Sequence, residues 1–561
     1  MSTPGTQPSG RERPASKAAT FVLTGLFIGV FLSALDTMIM ATALRTIADQ
    51  LSGMTGQAWV AVSYLVAMTA SAPLYGKMSD VFGRKRLYLL AISVFVLGSV
   101  LCAFAQSIYE LSAYRAVQGL GAGGLMTMAL AITADLFTPE RRVRHQANLG
   151  LMFGVASVAG PVAGGLFAGM DTLLWIDGWR WVFLINLPLG LFCFLVVAKY
   201  FQSPTNRSRR RVDVLGAVLL VLAVIPVLVA VEQVREWGWW SPTVLSLYAL
   251  SLLGLITFLL TERRMADNAI LPPRLFRSRS FSMVNVVNFL GGMGVFGALT
   301  VLPLYLQVVQ GLSPTTAGLL LLPQSVFTTL GSYVCGPVTE RTGRSKPLLV
   351  AGVAIMSASY LALAFMNAQT HLALVVVVVS FMGVGLGFFF QTVLIALQTS
   401  VEPKDIGVAS GLYSFTRQLG GAVGAALFVS LLFTAAITEI TKESGTAEFS
   451  QAIEDPEVMA DPENRAAVDT IREGMSTEDL DDTSFLQRVH PDVAAPYVEG
   501  LDNAMSTVFL TMSAFVLLSA ITALLIPERR RDDSGKPEPP EQPEKAENPK
   551  RPGPKTADTE K

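Results

Sequence analysis

Few residues in this chain are placed to do chemistry, and those few are charges inside apolar runs. Asp36 lies within the run 20–44, Arg115 within 109–134 and Arg417 within 406–436. A carboxylate or guanidinium in hydrocarbon is costly unless paired, protonated or facing water, so such a residue marks a site by default. At about 1.5 Å per residue, Asp36 lies about 24 Å beyond Thr20, and Arg115, entering from the opposite face, about 10 Å in. In a hydrocarbon core of roughly 30 Å the two share a depth. The expectation is an ion pair in which Asp36 exchanges a proton or meets a cationic substrate, with Arg115 as its modulating partner. The alternative is an interfacial helix-end aspartate with a structural arginine. Arg417 lies about 16 Å into its run and needs a partner or an aqueous cavity, neither identifiable from sequence. Asn288 and Gln324 are candidate cavity-lining amides, although amides within spans often only join helices.

Other chemistries find no carriers. Cys102, Cys193 and Cys335 sit in apolar runs and read as buried side chains rather than a disulfide framework. His145, His371 and His490 are far apart and lack metal-ligand spacing. There is no Ser-His-Asp order, dinucleotide fingerprint or P-loop, which argues against an enzyme and against a built-in ATP motor. Neither a nucleic-acid motif nor a basic domain appears. No cofactor and no metal is expected.

The elements that must position these charges are membrane spans. The 561 residues are 51% hydrophobic and 15% charged, against roughly 25% charge in a soluble domain. Mean hydropathy is +0.49. A span needs about 20 mostly apolar residues. Such segments fall at roughly 20–44, 58–76, 87–105, 109–134, 146–169, 180–201, 213–232, 242–262, 281–309, 314–337, 347–366, 371–397, 406–436 and 504–526, which predicts an all-α integral membrane protein of fourteen spans. The first run is too long for a signal-peptide core and contains Asp36, so it reads as a retained span. Basic clusters fall in alternate loops, among them Arg84-Lys85-Arg86, Arg141-Arg142, Arg209-Arg210-Arg211 and Arg263-Arg264. Arg529-Arg530-Arg531 follows the last span. The positive-inside rule then places both termini in the cytoplasm of a cell membrane. Residues 437–503 are polar and acidic and fall outside by parity, either as an ordered cap or as a flexible loop that meets an extracellular partner. Residues 1–17 and 527–561 read as disordered cytoplasmic tails.

An internal repeat organises the spans. Gly76-Lys-Met-Ser-Asp80-Val-Phe-Gly83-Arg84-Lys85-Arg86 matches Gly336-Pro-Val-Thr-Glu340-Arg-Thr-Gly343-Arg344-Ser-Lys346 at an offset of 260 residues (336 − 76). Gly160-Pro161-Val-Ala-Gly164-Gly165 matches Gly420-Gly421-Ala-Val-Gly424-Ala425 at the same offset (420 − 160). The simplest account is two six-span halves, 18–201 and 281–526, with 202–280 inserted as two further helices. Repeats of this kind mark secondary transporters, with substrate bound between the halves.

The loop Gly76-xxx-Asp80-xx-Gly83-Arg84-Lys85-Arg86 resembles the signature between spans two and three of the major facilitator superfamily. Leu35-Asp36-Thr37, Arg115-Ala-Val-Gln118-Gly119, the fifth-span glycines (Gly154, Gly160-Pro161-xx-Gly164-Gly165) and Trp179 through Asn186 to Pro188 extend the likeness. With fourteen spans the chain is similar to the drug:proton antiporter branch, over about 20–436 and 504–526. The resemblance implies a major facilitator fold and proton-coupled export of small organic compounds, with the lipid bilayer, protons and a small-molecule substrate as partners. It implies a cytoplasmic gate built from Gly76, Asp80, Gly83, Arg84, Arg86 and Asp135, where Asp80 pairs with Arg84 or faces a helix N-terminus and Asp135 is a further partner for Arg84. The plainer reading makes Arg84, Lys85 and Arg86 topology anchors only. The fifth-span glycines give a smooth packing face and Pro161 a bend, which suits a seam that opens between the halves. Asp36→Asn is then expected to leave folding intact and abolish proton-driven transport. Competing readings are a same-fold exporter of a lipid or metabolite working with a periplasmic or cell-wall partner through 437–503, and a non-transporting receptor or scaffold, against which the charges within spans argue.

Overall fold

A computed structural model describes residues 17–51, 57–137, 139–202, 214–265, 269–312, 314–342, 344–473 and 488–527, with residues 475 and 486. Of the stretches read as tails, 1–17 and 527–561, all but Lys17 and Pro527 lie outside the described residues, as do Gly343 of the second loop copy and the side chain of Glu340.

The described chain is almost wholly helical. We number the long helices α1 (Lys17–Gln50), α2 (Gln57–Phe82), α3 (Arg84–Ala103), α4 (Ile108–Leu136), α5 (Pro139–Ala168), α6 (Asn186–Tyr200), α7 (Val214–Trp237), α8 (Pro242–Met265), α9 (Arg279–Leu304), α10 (Leu322–Thr342), α11 (Lys346–Ala364), α12 (Leu372–Thr399), α13 (Ile406–Glu443) and α14 (Pro491–Leu524). Each predicted span has a long helix, with two breaks. The sixth is interrupted at Ile185, between Trp181–Leu184 and α6. The tenth is preceded by Pro314–Leu320 and resumes at Leu322. After Pro303, α9 widens into a π-helical turn, Tyr305–Val309, a common result when a residue without an amide hydrogen sits in a ladder.

Twelve candidate spans meet both a length and a hydropathy criterion among the described residues, and α2 and α7 are not among them. Leu215–Val231 of α7 forms a shorter apolar helix among the described residues. Thr69, Ser71, Lys77 and Ser79 of α2 are buried inside the protein, so α2 presents little of itself to hydrocarbon.

Local signals fix the ends that matter. Ser107 caps α4 by accepting from the Glu110 amide (3.2 Å), while the Glu110 carboxylate accepts from the Gln106 amide (2.9 Å). This reciprocal cap sets where α4 starts and hence how deep Arg115 lies. Gly83 begins α3 with φ of 93°, a backbone state costly for any residue carrying a Cβ. Between α5 and the sixth span, Thr172–Leu173 pairs antiparallel with Ile176–Asp177. Trp181 Nε1 donates to the Leu173 carbonyl (2.9 Å) and Arg180 Nη1 to that of Ala103 (2.6 Å), tying this hairpin to α3.

The 260-residue repeat is also a repeat of packing. Gly160 and Gly164 set α5 against Met38 and Ile39 of α1, and Gly420 and Gly424 set α13 against Phe289 and Met293 of α9. The acidic segment is largely helical where described. It extends α13 to Glu443, forms Ala447–Glu454 and Pro462–Glu473, and returns as the start of α14. Tyr497 of α14 donates to the Ala467 carbonyl (2.6 Å) and the His490 amide to Asn464 Oδ1 (2.8 Å). The described part is therefore docked on α14.

Candidate functional site

Asp36 on α1 and Arg115 on α4 meet. Arg115 Nη1 lies 2.5 Å from Asp36 Oδ2, with Asp36 at 0% exposure and Arg115 at 1%. The other carboxylate oxygen, Oδ1, accepts from Gln118 Nε2 (2.7 Å) and Asn186 Nδ2 (3.0 Å). Arg115 Nη1 also donates to Gln118 Oε1 (2.8 Å). Ser99 Oγ accepts from Gln118 (3.1 Å) and Asn186 (2.9 Å) and donates to the Phe183 carbonyl (3.0 Å). The Tyr64 ring of α2 lies 4.0 Å from the guanidinium carbon, a desolvated cation–π contact. Five helices, α1 to α4 and α6, thus close one polar cluster. Arg115 Nε and Asn186 Oδ1 are buried in it without a hydrogen bond.

Gln118, Asn186, Ser99 and Tyr64 are the members that sequence reasoning did not assign. Gln118 is three residues from Arg115 on the same helix, and that spacing is a readable signal. Asn186 sits where the sixth span breaks. A serine or tyrosine within a span carries no comparable mark.

The glycine seam lies against the turns that follow Asp36. A Cβ built on Gly160 would sit 2.5 Å from Met38 Cβ and 3.0 Å from the Ile39 nitrogen, and one on Gly164 would sit 2.5 Å from the Ile39 carbonyl oxygen. Thr42 Oγ1 donates to the Pro161 carbonyl (3.3 Å). Gly165 faces open space, and Gly154 approaches Ser325 of α10 at 3.5 Å. Gly160→Leu or Gly164→Leu is expected to force α5 off α1, costing about 1–3 kcal/mol by overpacking. A fall in melting temperature with loss of transport checks this, while Gly165→Ala is expected to leave both unchanged.

At one end of the bundle Arg84 joins two carboxylates. Its Nη1 lies 2.6 Å from Asp80 Oδ1 and its Nε 2.7 Å from Asp135 Oδ2; Nη1 also donates to Ser79 Oγ. Asp80 Oδ2 accepts from the Val408 amide at the start of α13 (3.3 Å). Asp80 therefore both pairs with Arg84 and faces the N-terminus of α13. A Cβ on Gly76 would sit 2.5 Å from the Gly407 carbonyl oxygen. Lys85 donates to the Ala198 carbonyl (2.7 Å), and Arg86 is exposed. Further bonds join α5 to α10 and α12 here: Arg142 to Gln398 (3.2 Å), Gln391 to Gln146 (3.3 Å), and Tyr333 to Asn148. Asp80 lies beyond the apolar run 58–76. Burial pushes its carboxyl up to about 6, Arg84 opposing this and Asp135 and Asp405 adding to it.

Arg417 is not brought to Asp36. It lies between Phe390 and Tyr413, with its guanidinium carbon 5.3 and 5.0 Å from the ring centres, and donates to Tyr413 Oη (3.2 Å). Asn288 is fully buried and donates to the Tyr413 carbonyl (2.8 Å) and Thr416 Oγ1 (2.6 Å). These bonds join α9 to α13. Gln324 is half-buried where α10 crosses Gly383 of α12.

Residues 26–425 match the family model of the Major Facilitator Superfamily. The chain is 30% identical over 525 residues to Multidrug resistance protein 3 of Bacillus subtilis (strain 168), covering 92% of this chain and 97% of that protein. It is 32% identical over 406 residues to Multidrug transporter protein MdtP of the same organism, covering 72% and 74%. Among solved structures, the proton:xylose symporter XylE bound to 6-bromo-6-deoxy-D-glucose has a TM-score of 0.57 at 14% identity, over 92% of this chain and 98% of that one, a likeness of fold alone. The buried pair, the Gly160 seam and the Gly76–Arg86 loop all fall inside the matched residues, and the chain belongs to the Major Facilitator Superfamily of membrane transporters.

Proposed function

We propose that the protein is a proton-coupled antiporter that exports small amphipathic organic compounds across a cell membrane by alternating access. The observation that carries this reading is the fully buried Asp36–Arg115 pair inside the helix bundle. A carboxylate with no exposure cannot exchange a proton in this conformation. Gain or loss of a proton there must accompany a rearrangement that opens the cluster, which is the coupling an antiporter needs. The glycine seam beside it lets α5 move against α1 without side-chain interlock. Relatives named as multidrug transporters favour an exporter with drug-like cargo.

The architecture proposed with this reading is two six-helix halves, 18–201 and 281–526, with α7 and α8 inserted, fourteen spans in all and both termini cytoplasmic. Alternation of basic loops supports that orientation. In it, the contacts among Asp80, Arg84, Val408 and Gly407 close the cytoplasmic face in this conformation. Transport in proteoliposomes under an imposed pH gradient, with a panel of cationic and neutral compounds, tests the reading. Efflux against proton entry is the expected result. Indifference to the gradient removes antiport, and accumulation in the direction of proton entry indicates symport instead.

A further inference from the structure

The α7–α8 hairpin is tight within itself but stands off the core along part of its length. Gly254 of α8 packs on the Leu222–Ala223 backbone, and Ser251 donates to the Ala223 carbonyl. Its far end is pinned to the core, where Trp237 packs on Trp59 (ring centres 6.3 Å apart) and Trp239 Nε1 donates to Ser430 Oγ (2.9 Å). Near the loop-motif end, Arg274 in the link between α8 and α9 reaches Asp405 at 2.7 Å. Between these two attachments lies a cavity of about 1230 Å³. Drug-sized sites run to about 300–1,000 Å³. Its walls come from α7, α8, α9 and α13, through side chains such as Val224, Phe258, Phe289 and Phe415.

The rim differs from the walls. Arg263 and Arg277 both border the cavity and are exposed. Among the described residues neither has a carboxylate within ion-pair distance. Glu262 also lines the cavity, but it is buried and its carboxylate accepts from the amides of Ile270 (3.1 Å) and Leu271 (2.9 Å). The mouth is therefore cationic above an apolar slot. A soluble anion would leave the slot unfilled, a neutral lipid would leave the arginines unmatched, and a cationic compound would be repelled at the mouth. Two guanidinium forks above an apolar slot suit a phosphate that carries acyl chains. Basic pockets between membrane helices take such headgroups.

We propose that this cavity binds one anionic phospholipid, its acyl chains between the hairpin and α9 and α13 and its phosphate on Arg263 and Arg277. The proposal rests on the membrane location of the family and not on proton coupling. The lipid would brace α13, whose Leu412, Phe415 and Leu419 line the cavity while its Gly407 and Gly411 lie on α2 in the seam between the halves.

The test uses the full chain, delipidated in detergent and titrated with phosphatidylglycerol or with phosphatidylcholine of the same acyl chains. The one-lipid adduct is counted by native mass spectrometry. Phosphatidylglycerol is expected to bind more tightly. Arg263→Ala/Arg277→Ala is expected to weaken it roughly twenty-fivefold, at about fivefold per arginine, with phosphatidylcholine unchanged. Val224→Trp, which fills the slot below the arginines, is expected to weaken both lipids. Equal affinity for the two lipids in the unmodified protein overturns the proposal, as does phosphatidylglycerol binding that survives the arginine substitutions. Displacement of bound phosphatidylglycerol by one equivalent of a cationic dye would assign the cavity to cargo and overturn it as well.

Discussion

Asp36→Asn is expected to abolish proton-driven transport and also to destabilise the protein. The second effect follows from burial. Asp36 has no exposure, and its carboxylate is the charge that offsets Arg115, itself 1% exposed. Removing one partner of a buried pair costs about 3–5 kcal/mol, because the other charge remains in a medium that cannot solvate it. Asp36→Asn/Arg115→Met removes both charges, and such replacements are often close to neutral for stability. The double variant is therefore expected to regain most of the lost melting temperature and none of the proton-driven flux. Thermal unfolding followed by intrinsic fluorescence and flux under a pH gradient separate the two effects. Full flux in Asp36→Asn would sink the coupling role. Recovery of flux in the double variant would make the pair purely structural. Sequence alone leads to the expectation that Asp36→Asn folds intact; the structure changes that, because an interfacial aspartate would leave its arginine in water and this one does not.

Depth is legible in a membrane sequence, and rotation is not. Counting residues along two runs places Asp36 and Arg115 level, and they meet at 2.5 Å. The same holds for Asp80 and Arg84, four residues apart, and for Asp135 at a neighbouring helix end. Which face of a helix turns inward depends on an apolar stripe, and a helix apolar all round has none to read. That is why Ser99 and Tyr64 escape notice and why the sequence does not show that Asn288 of α9 bonds to α13. Arg417 shows the same limit. Its neighbours, Phe390 and Tyr413, are aromatic and carry no sign of a cation partner in the sequence. A strict hydropathy criterion leaves out α2, although 58–76 reads as an apolar run, for the opposite reason. Buried between its neighbours, it can carry polar residues that a lipid-facing helix could not. The cavity under Arg263 and Arg277 was equally hidden, since it arises from the distance at which the hairpin stands off α13.

Arg84→Ala is expected to open the end of the bundle that the loop motif closes. Arg84 is the shared cation of Asp80 and Asp135, and Asp80 has a side chain only 9% exposed. Without it, Asp80 is left facing the Val408 amide with Asp135 and Asp405 nearby. An uncompensated buried charge costs about 3–5 kcal/mol, against about 5.5 kcal/mol to turn a 99:1 population into 1:99. A largely closed population should therefore become mixed or mainly open. The pH response has a definite sign. Burial raises the Asp80 carboxyl to about 6 in the closed form, from an ordinary value of 3.8 that it would regain when solvated. Between those values the closed form holds more protons, so acidification through that window favours closure, and the contribution is lost as pH rises through about 6. Spin labels at Phe82 and Lys404, both exposed, report the distance between α2 and the start of α13. The native cysteines are buried and stay unlabelled. The unmodified protein is expected to shift toward short distances from pH 7.5 to 4.5, Asp80→Asn to show no such shift, and Arg84→Ala to favour long distances at pH 7.5. Arg84→Lys keeps the charge but loses the fork that reaches two carboxylates at once, and should fall between. An unchanged distance distribution in Arg84→Ala at pH 7.5 would reduce the arginine to a topology anchor.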